Sequence, residues 1–357
     1  MNIEKYLNEL GENSVTASNK IKSLTLDQKN SLLESISKSI LEDKSDILKA
    51  NNKDIEAAKE KLSKSMIDRL QLNEERIDGI IQSIKTVISL PDPVGNILFT
   101  NTRPNGMKVE RVSVPLGVIG IIYESRPNVT VDASVLCLKS GNSVILRGGS
   151  ESFNSNLQLV KSMQKACNNI GVDNNILQFI ETTDRSAVDY MLSKMSDYID
   201  VVVPRGGKGL VKKVQESAKI PVIGHLDGIC HIYIDDSSDP ETASKIVTNA
   251  KLRRTSICGA AETILIDEKC IDSHLPKIIS DLKSGGCEIR GDKKCKEKFD
   301  EIILASDDDW KTEYLDAIIS IRIVNGVEDA IDHIAKYGSG HTESIVSESK
   351  DSVEKFL

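Results

Sequence analysis

"VPLGVIGIIYESRPNVTVDASVLCLKSGNSVILRGGSE", residues 114–151, holds β-branched runs at both ends and a helix-spaced segment between them. "ERVSVPLGVIGIIY" (110–123) and "SVILRGG" (143–149) have the residue types of buried strands. "VTVDASVLCLKSG" has helical spacing and ends at Gly141, a residue suited to the left-handed position after a helix. A strand, a helix and a strand of these lengths predict a right-handed βαβ unit and a mostly parallel sheet.

The alternation continues downstream. "ESFNSNLQLVKSMQKACNNIG" reads as a helix, "ILQFIE" as a strand, "SAVDYMLSKM" as a helix and "IDVVVP" as a strand running into "RGGKGLVKKVQESAK". It restarts with "CHIYID", "PETASKIVTNAKLRR", "AETILID" and "HLPKIISDLKSGG", then "CEIRG", "AIISIRIV" and the helical "VEDAIDHIAKYG". Upstream, residues 1–90 are polar with apolar residues at helical spacing, Thr25 and Asp27 as caps, and Pro91 and Pro93 ending the region. The fold class expected is α/β, with two open parallel-sheet domains and a helical N-terminal layer. The division falls within 222–228, giving 1–225 and 226–357, and the two domains are expected to meet close to Cys258, because pockets favour domain interfaces and the carboxyl ends of parallel strands.

Composition narrows the function. The chain has 357 residues and a net charge of −8, which argues against sequence-independent nucleic-acid binding. The longest apolar run, residues 114–123, is half a membrane span. "MNIEKYLNEL" has no apolar leader region, so secretion is not expected. Seven cysteines without a Cys-x-x-Cys pair, in a chain this long, suggest a reduced, cytoplasmic protein.

Four places could carry chemistry. In "NAKLRRTSICGAAETILI" (249–266), Cys258 sits in a small-residue turn entering a strand. A free cysteine is usually a packing residue. Here Gly259, Ala260 and Ala261 leave the sulfur uncrowded and their backbone N–H groups free to face an oxyanion, while Arg253 and Arg254 add positive potential. "VVVPRGGKGL" and "VILRGGSE" each run from a strand into an arginine and paired glycines, and two such turns favour a dinucleotide over a single phosphate. Either could also be an ordinary strand-to-helix turn. In "YESRPNVT", Arg126 suits a carboxylate or phosphate and Asn128 offers an amide donor. Cys230 and His231 are adjacent in a strand and point to opposite faces, and no histidine has zinc-site spacing, so no metal is expected.

Together with "EDAIDHIAKYGSGHTESIVSE", "MIDRL" and "LPDPVG", these segments resemble the aldehyde dehydrogenase superfamily, and within it the γ-glutamyl phosphate reductase family, over nearly the whole chain. The resemblance implies a proline-biosynthesis step. NADPH reduces γ-glutamyl phosphate to glutamate-5-semialdehyde and phosphate through a thioester on Cys258, with Asn128 helping to hold the oxyanion. It implies Arg147 and Ser150 at the adenosine ribose, with no carboxylate there to reject a 2′-phosphate. It also implies Gly206 and Gly207 at the pyrophosphate, Glu313 at the nicotinamide ribose, and Arg126, Arg205 or Arg254 at the substrate carboxylate. The superfamily's general-base glutamate aligns with His225, consistent with reduction rather than aldehyde oxidation. Family members continue beyond "VEKFL", so the catalytic domain is expected to lack its C-terminal part and oligomerisation arm, in a family expected to be homo-oligomeric. A glutamate kinase is the expected partner. The alternatives are a semialdehyde-oxidising dehydrogenase and a truncated, non-catalytic dinucleotide-binding protein.

Overall fold

The computed structural model describes residues 2–357, apart from the side chains of Lys64 and Ser65. The chain forms two compact units, Met1–Gly224 and His225–Leu357. In the first, five helices come first: α1 (Ile3–Ile21), α2 (Leu26–Glu42), α3 (Lys44–Ala58), α4 (Lys64–Leu70) and α5 (Glu74–Ser89). Thr25 and Gln28 cap α2 reciprocally, each side chain bonded to the other's backbone N–H. Its apolar stripe, Leu32, Leu33, Ile36 and Ile40, is fully buried, and each such side chain contributes about 1.5–3 kcal/mol.

The run at 110–123 is not one strand. An exposed antiparallel hairpin, β1 (Ile97–Thr102) and β2 (Lys108–Val112), ends before Pro115, and β3 (Val118–Tyr123) begins after it. Pro115 cannot donate to a ladder, and Gly117 turns the chain with φ 131°. The alternation then follows: α6 (Pro127–Lys139), β4 (Ser143–Arg147), α7 (Phe153–Asn169), β5 (Leu177–Phe179), α8 (Arg185–Lys194), β6 (Val201–Arg205) and α9 (Lys208–Ser217). Helix α6 ends as expected at Gly141, φ 73°. The Gly141 and Asn142 N–H groups donate back to Leu138 and Cys137 carbonyls. The sheet is parallel in the order β5-β4-β3-β6, so its strand order reverses direction beside β3. Ligands collect outside the carboxyl ends of strands at such a point.

The second unit contains β7 (Cys230–Ile234), α10 (Pro240–Leu252), β8 (Ala261–Asp267), α11 (Leu275–Ser284), β9 (Glu288–Gly291), α12 (Lys293–Lys298), β10 (Ile303–Leu304), β11 (Ile318–Val324), α13 (Gly326–Tyr337), β12 (Glu343–Val346) and α14 (Lys350–Phe356). Its parallel sheet has the order β10-β9-β11-β8-β7-β12. Strands β7 and β8 are buried throughout and β11 nearly so, with the polar residues His231, Glu262, Thr263, Asp267 and Ser320 buried among the apolar ones. Among the described residues no helix is long and apolar enough to cross a membrane.

Candidate functional site

In the first unit a cavity of about 550 Å³ opens at the carboxyl ends of all four strands. Its walls come from the segments after β3 (Glu124, Ser125, Arg126), after β4 (Gly149, Ser150, Glu151) and after β5 (Thr183, Arg185), and from α9 (Gly209, Lys213). Five cationic side chains, Arg69, Arg126, Arg147, Arg185 and Lys213, line it against two carboxylates, Glu124 and Glu151. In a chain of net charge −8 that excess marks an anion site.

Arg147 is the most deeply set of these cations. It is buried, with Nη1 donating to the Gly148 carbonyl at 2.5 Å and Nη2 to the Thr183 carbonyl at 3.2 Å. Its Nε is buried with no hydrogen-bond partner in the protein. Burial holds the Arg147 guanidinium below its usual range against the opposing pull of the Glu151 carboxylate, and Arg185 pushes the same way as burial. A buried guanidinium with a spare donor is suited to an anionic ligand.

The paired glycines of "LRGGSE" have a packing reason. A Cβ on Gly148 would stand 2.2 Å from Asn156 Nδ2 and 3.0 Å from the Tyr123 ring. Those two side chains belong to one buried chain of hydrogen bonds, Tyr123–Thr130–Asn156–Ser152. Burial raises the Tyr123 phenol far above its usual range, so it stays neutral there.

Ser150 lines the cavity as the resemblance implied, and the neighbouring Glu151 brings a carboxylate into it. Burial opposes its ionisation, yet the Ser125 hydroxyl at 2.7 Å and the Ser150 hydroxyl at 3.1 Å outweigh burial and hold the carboxyl below its usual range. The glycine turn contributes Gly209, Leu210 and Lys213 to the lining, and not Gly206 or Gly207. Of the three arginines suggested for the substrate, Arg126 lines this cavity. Arg205 is exposed at the end of β6, and Arg254 is exposed in the second unit. Asn128 is exposed at the start of α6 and donates to Asp132 at 3.0 Å. Arg69, Arg185 and Lys213 lie in or beside stretches that sequence reading drew on, but it singled none of them out, because their convergence on one cavity depends on the packing of separate elements.

In the second unit Cys258 lies in the loop between α10 and β8, at the amino end of the strand. The carboxyl-end rule that located the first cavity does not locate this residue. Among the seven cysteines, six are buried and Cys258 is half-buried. Burial pushes the thiols of Cys137, Cys167, Cys230, Cys270 and Cys295 up to about 12, and that of Cys287 up to about 11.

The loop is pinned at both ends. Lys251, in the last turn of α10, donates to Glu262, in β8, at 2.5 Å, with both side chains fully buried. Glu262 is also where the β7–β8 register slips: Cys230 pairs with Ala261 but His231 pairs with Thr263. That bulge bends the strand next to the cysteine. The Ala260 N–H donates to the Ile257 carbonyl at 3.0 Å, closing the turn around Cys258, so it does not face an oxyanion as the sequence suggested. The Cys230 thiol donates to the Cys258 carbonyl at 3.2 Å. Gly228 presses on that carbonyl from the other side: a Cβ there would come within 2.2 Å of it and 2.9 Å of Glu313 Oε1. Glu313 is therefore a near neighbour of the Cys258 main chain.

Two histidines complete the surroundings. His225, Cys258 and His341 bring their ligand atoms within 4.8 Å of one another, and the two rings meet edge to face at 4.4 Å. They precede β7, β8 and β12, three neighbouring strands, so one edge of the sheet gathers residues from distant parts of the chain. Sequence reading passed over His341. The glycine-rich "GSGHTE" ahead of a strand was the signal available.

The aldehyde dehydrogenase family model matches residues 9–294, and the chain belongs to the aldehyde dehydrogenase family, whose members are oxidoreductases. Its relatives include proteins named γ-glutamyl phosphate reductase. That of Brucella suis is 48% identical over 99% of this chain and 85% of its own length, and that of Bartonella tribocorum is 49% identical over 98% and 85%. The crystal structure of γ-glutamyl phosphate reductase from Thermotoga maritima matches with a TM-score of 0.92 and 42% identity, covering 98% of this chain and 84% of that one. An acetylating aldehyde dehydrogenase from Geobacillus thermoglucosidasius shares the fold, with a TM-score of 0.64 at 17% identity over 99% of this chain and 84% of its own.

Proposed function

We propose that the chain is a cytoplasmic enzyme that reduces γ-glutamyl phosphate to glutamate-5-semialdehyde and phosphate in proline synthesis, with NADPH as reductant. The substrate is suggested by the names of the relatives that match 98–99% of the chain. The observation that carries the chemistry is the single half-buried cysteine among six buried ones. A nucleophilic sulfur must be reached by its electrophile, and only Cys258 meets that condition among the seven.

The first-unit cavity fits an adenine dinucleotide phosphate. Arg147, with its unpartnered Nε, and Arg185 would hold the 2′-phosphate, and the other cations would serve the remaining phosphates. When bound, the dinucleotide supplies the hydride that reduces the thioester. Cys258 thiolate attacks the acyl carbon, the bond to the phosphate oxygen breaks, and phosphate leaves with the electron pair. After reduction the tetrahedral adduct collapses, returning the thiolate and releasing the aldehyde. The Cys258 backbone N–H, with Asn128, is assigned to the developing oxyanion, and Glu313 to the nicotinamide ribose. No glutamate stands at position 225 to activate water against the thioester, which favours reduction over aldehyde oxidation. A kinase acting on glutamate would supply the labile acyl phosphate, and assembly into a homo-oligomer follows from the likeness to the family.

The reverse reaction tests this reading. With glutamate-5-semialdehyde, phosphate and NADP⁺, NADPH should form only when phosphate is present, and Cys258→Ser should abolish it. Oxidation independent of phosphate would overturn the assignment, and binding of NADP⁺ without turnover would leave only a dinucleotide-binding protein.

A further inference from the structure

We propose that His225, Cys258 and His341 also form a reversible three-ligand site for a soft divalent cation, with zinc(II) the occupant the donors select, and that filling it blocks the nucleophile. Among the described residues they are the one group of three metal-ligating side chains whose ligand atoms converge. One thiolate and two imidazoles are a zinc donor set, and three protein ligands leave a fourth position open for water. With no carboxylate in the group, magnesium and calcium, which want oxygen ligands, are not held.

The geometry needs little adjustment. From zinc–sulfur and zinc–nitrogen bond lengths, one sulfur and two nitrogens on a tetrahedral ion stand about 3.3–3.6 Å apart. The three atoms lie within 4.8 Å of one another, and His225 is exposed and His341 half-buried, so rotation of side chains closes the difference. The surroundings orient the ligands. His341 Nδ1 lies 2.9 Å from the Thr342 hydroxyl and 3.6 Å from the Cys230 sulfur, and the Cys230 thiol in turn bonds the Cys258 carbonyl. Hydrogen bonds of this kind fix the ring orientation of a metal-binding histidine.

The chemistry is an exchange without redox change. A zinc–sulfur bond forms, the thiol proton passes to solvent, and a chelator reverses both. Metal binding stands on the three ligands alone, whereas its consequence for turnover rests on Cys258 being the nucleophile proposed above.

The full chain, stripped of metal, should therefore be titrated with cobalt(II) as a spectroscopic stand-in. One equivalent should produce a thiolate-to-cobalt charge-transfer band that zinc displaces and magnesium does not. Cys258→Ser should lose the band, and His225→Asn and His341→Asn should each weaken binding at least tenfold. In the phosphate-dependent assay zinc should inhibit the wild type, and a chelator should restore it. Absence of the band, or a band that survives Cys258→Ser, overturns the site. If Cys258→Ser is inactive and no band forms, the metal site falls and the catalytic reading stands. If the band forms through sulfur but Cys258→Ser still turns over, the blocking role and the catalytic reading fall together.

Discussion

The two units are built from the same material, parallel strands crossed by helices, yet they use opposite ends of their sheets. In the first, the strands' carboxyl ends feed loops that lead into helix N-termini, and five cations gather there around a cavity. In the second, the amino ends of β8, β7 and β12 gather a thiol and two imidazoles. Helix N-termini carry partial positive charge, so the first arrangement adds to the attraction of phosphates. The second presents soft, polarisable side chains instead. One edge is built for charge and the other for reactivity.

Chemical labelling should break that contrast most sharply. At pH 7 a thiol held at about 12 is ionised in roughly one molecule in 10⁵. Iodoacetamide followed by peptide mapping should modify Cys258 at least about a hundredfold faster than the six buried cysteines. Uniform labelling would remove the distinction between them.

Next in size is the effect of acid on the second unit, exerted through His333. Burial comes first, and then His231 and Arg322, in lowering His333 to about 3, and Arg322 donates to its Nδ1 at 2.6 Å. Because the folded pKa lies below the unfolded value of about 6.5, this contribution is fully present above pH 6.5 and is lost as pH falls towards 3. Its full loss, reached below pH 3, is on the order of 5 kcal/mol. His333→Gln should flatten the acid limb of a stability–pH curve, and an unchanged curve would rule the histidine out.

The pin beneath the cysteine loop comes after it. Burial pushes Glu262 up to about 7 even with its partner in place, so Lys251→Met should leave it protonated and without its partner, and should cost about 1–3 kcal/mol in urea unfolding. A loss under 1 kcal/mol would show that the pair does not hold the loop.

The smallest effect sharpens the first unit. Arg147→Ala should weaken NADPH by about 10–100-fold, from the loss of one charged contact of 1.5–3 kcal/mol, and leave NADH nearly unchanged. Glu151→Gln, measured beside it, asks whether the carboxylate held by Ser125 and Ser150 is silent towards the cofactor. Equal weakening of both cofactors by Arg147→Ala would detach that arginine from the 2′-phosphate.

Much of the architecture was legible because it is local. The cap at Thr25, the left-handed Gly141 and the β-branched runs of β3, β4, β6, β7 and β8 each follow from a few neighbouring residues. The exception, the strand break at Pro115 and Gly117, was also written locally and was overrun by the apolar pattern around it. Cys258 stood out because small residues around a sulfur are themselves a local signal.

What the sequence determined by itself, then, is the order of strands and helices, the turns that end them, and the one cysteine set apart from packing. Tertiary structure alone decided which cations share the cavity, that Glu151 enters it with its charge tied to two hydroxyls, and that His225 and His341 stand beside the sulfur. The reason is physical: helix and strand periods act over a few residues, whereas a site at the edge of a parallel sheet draws one residue from each of several loops, and only the order of strands in the sheet makes those loops neighbours.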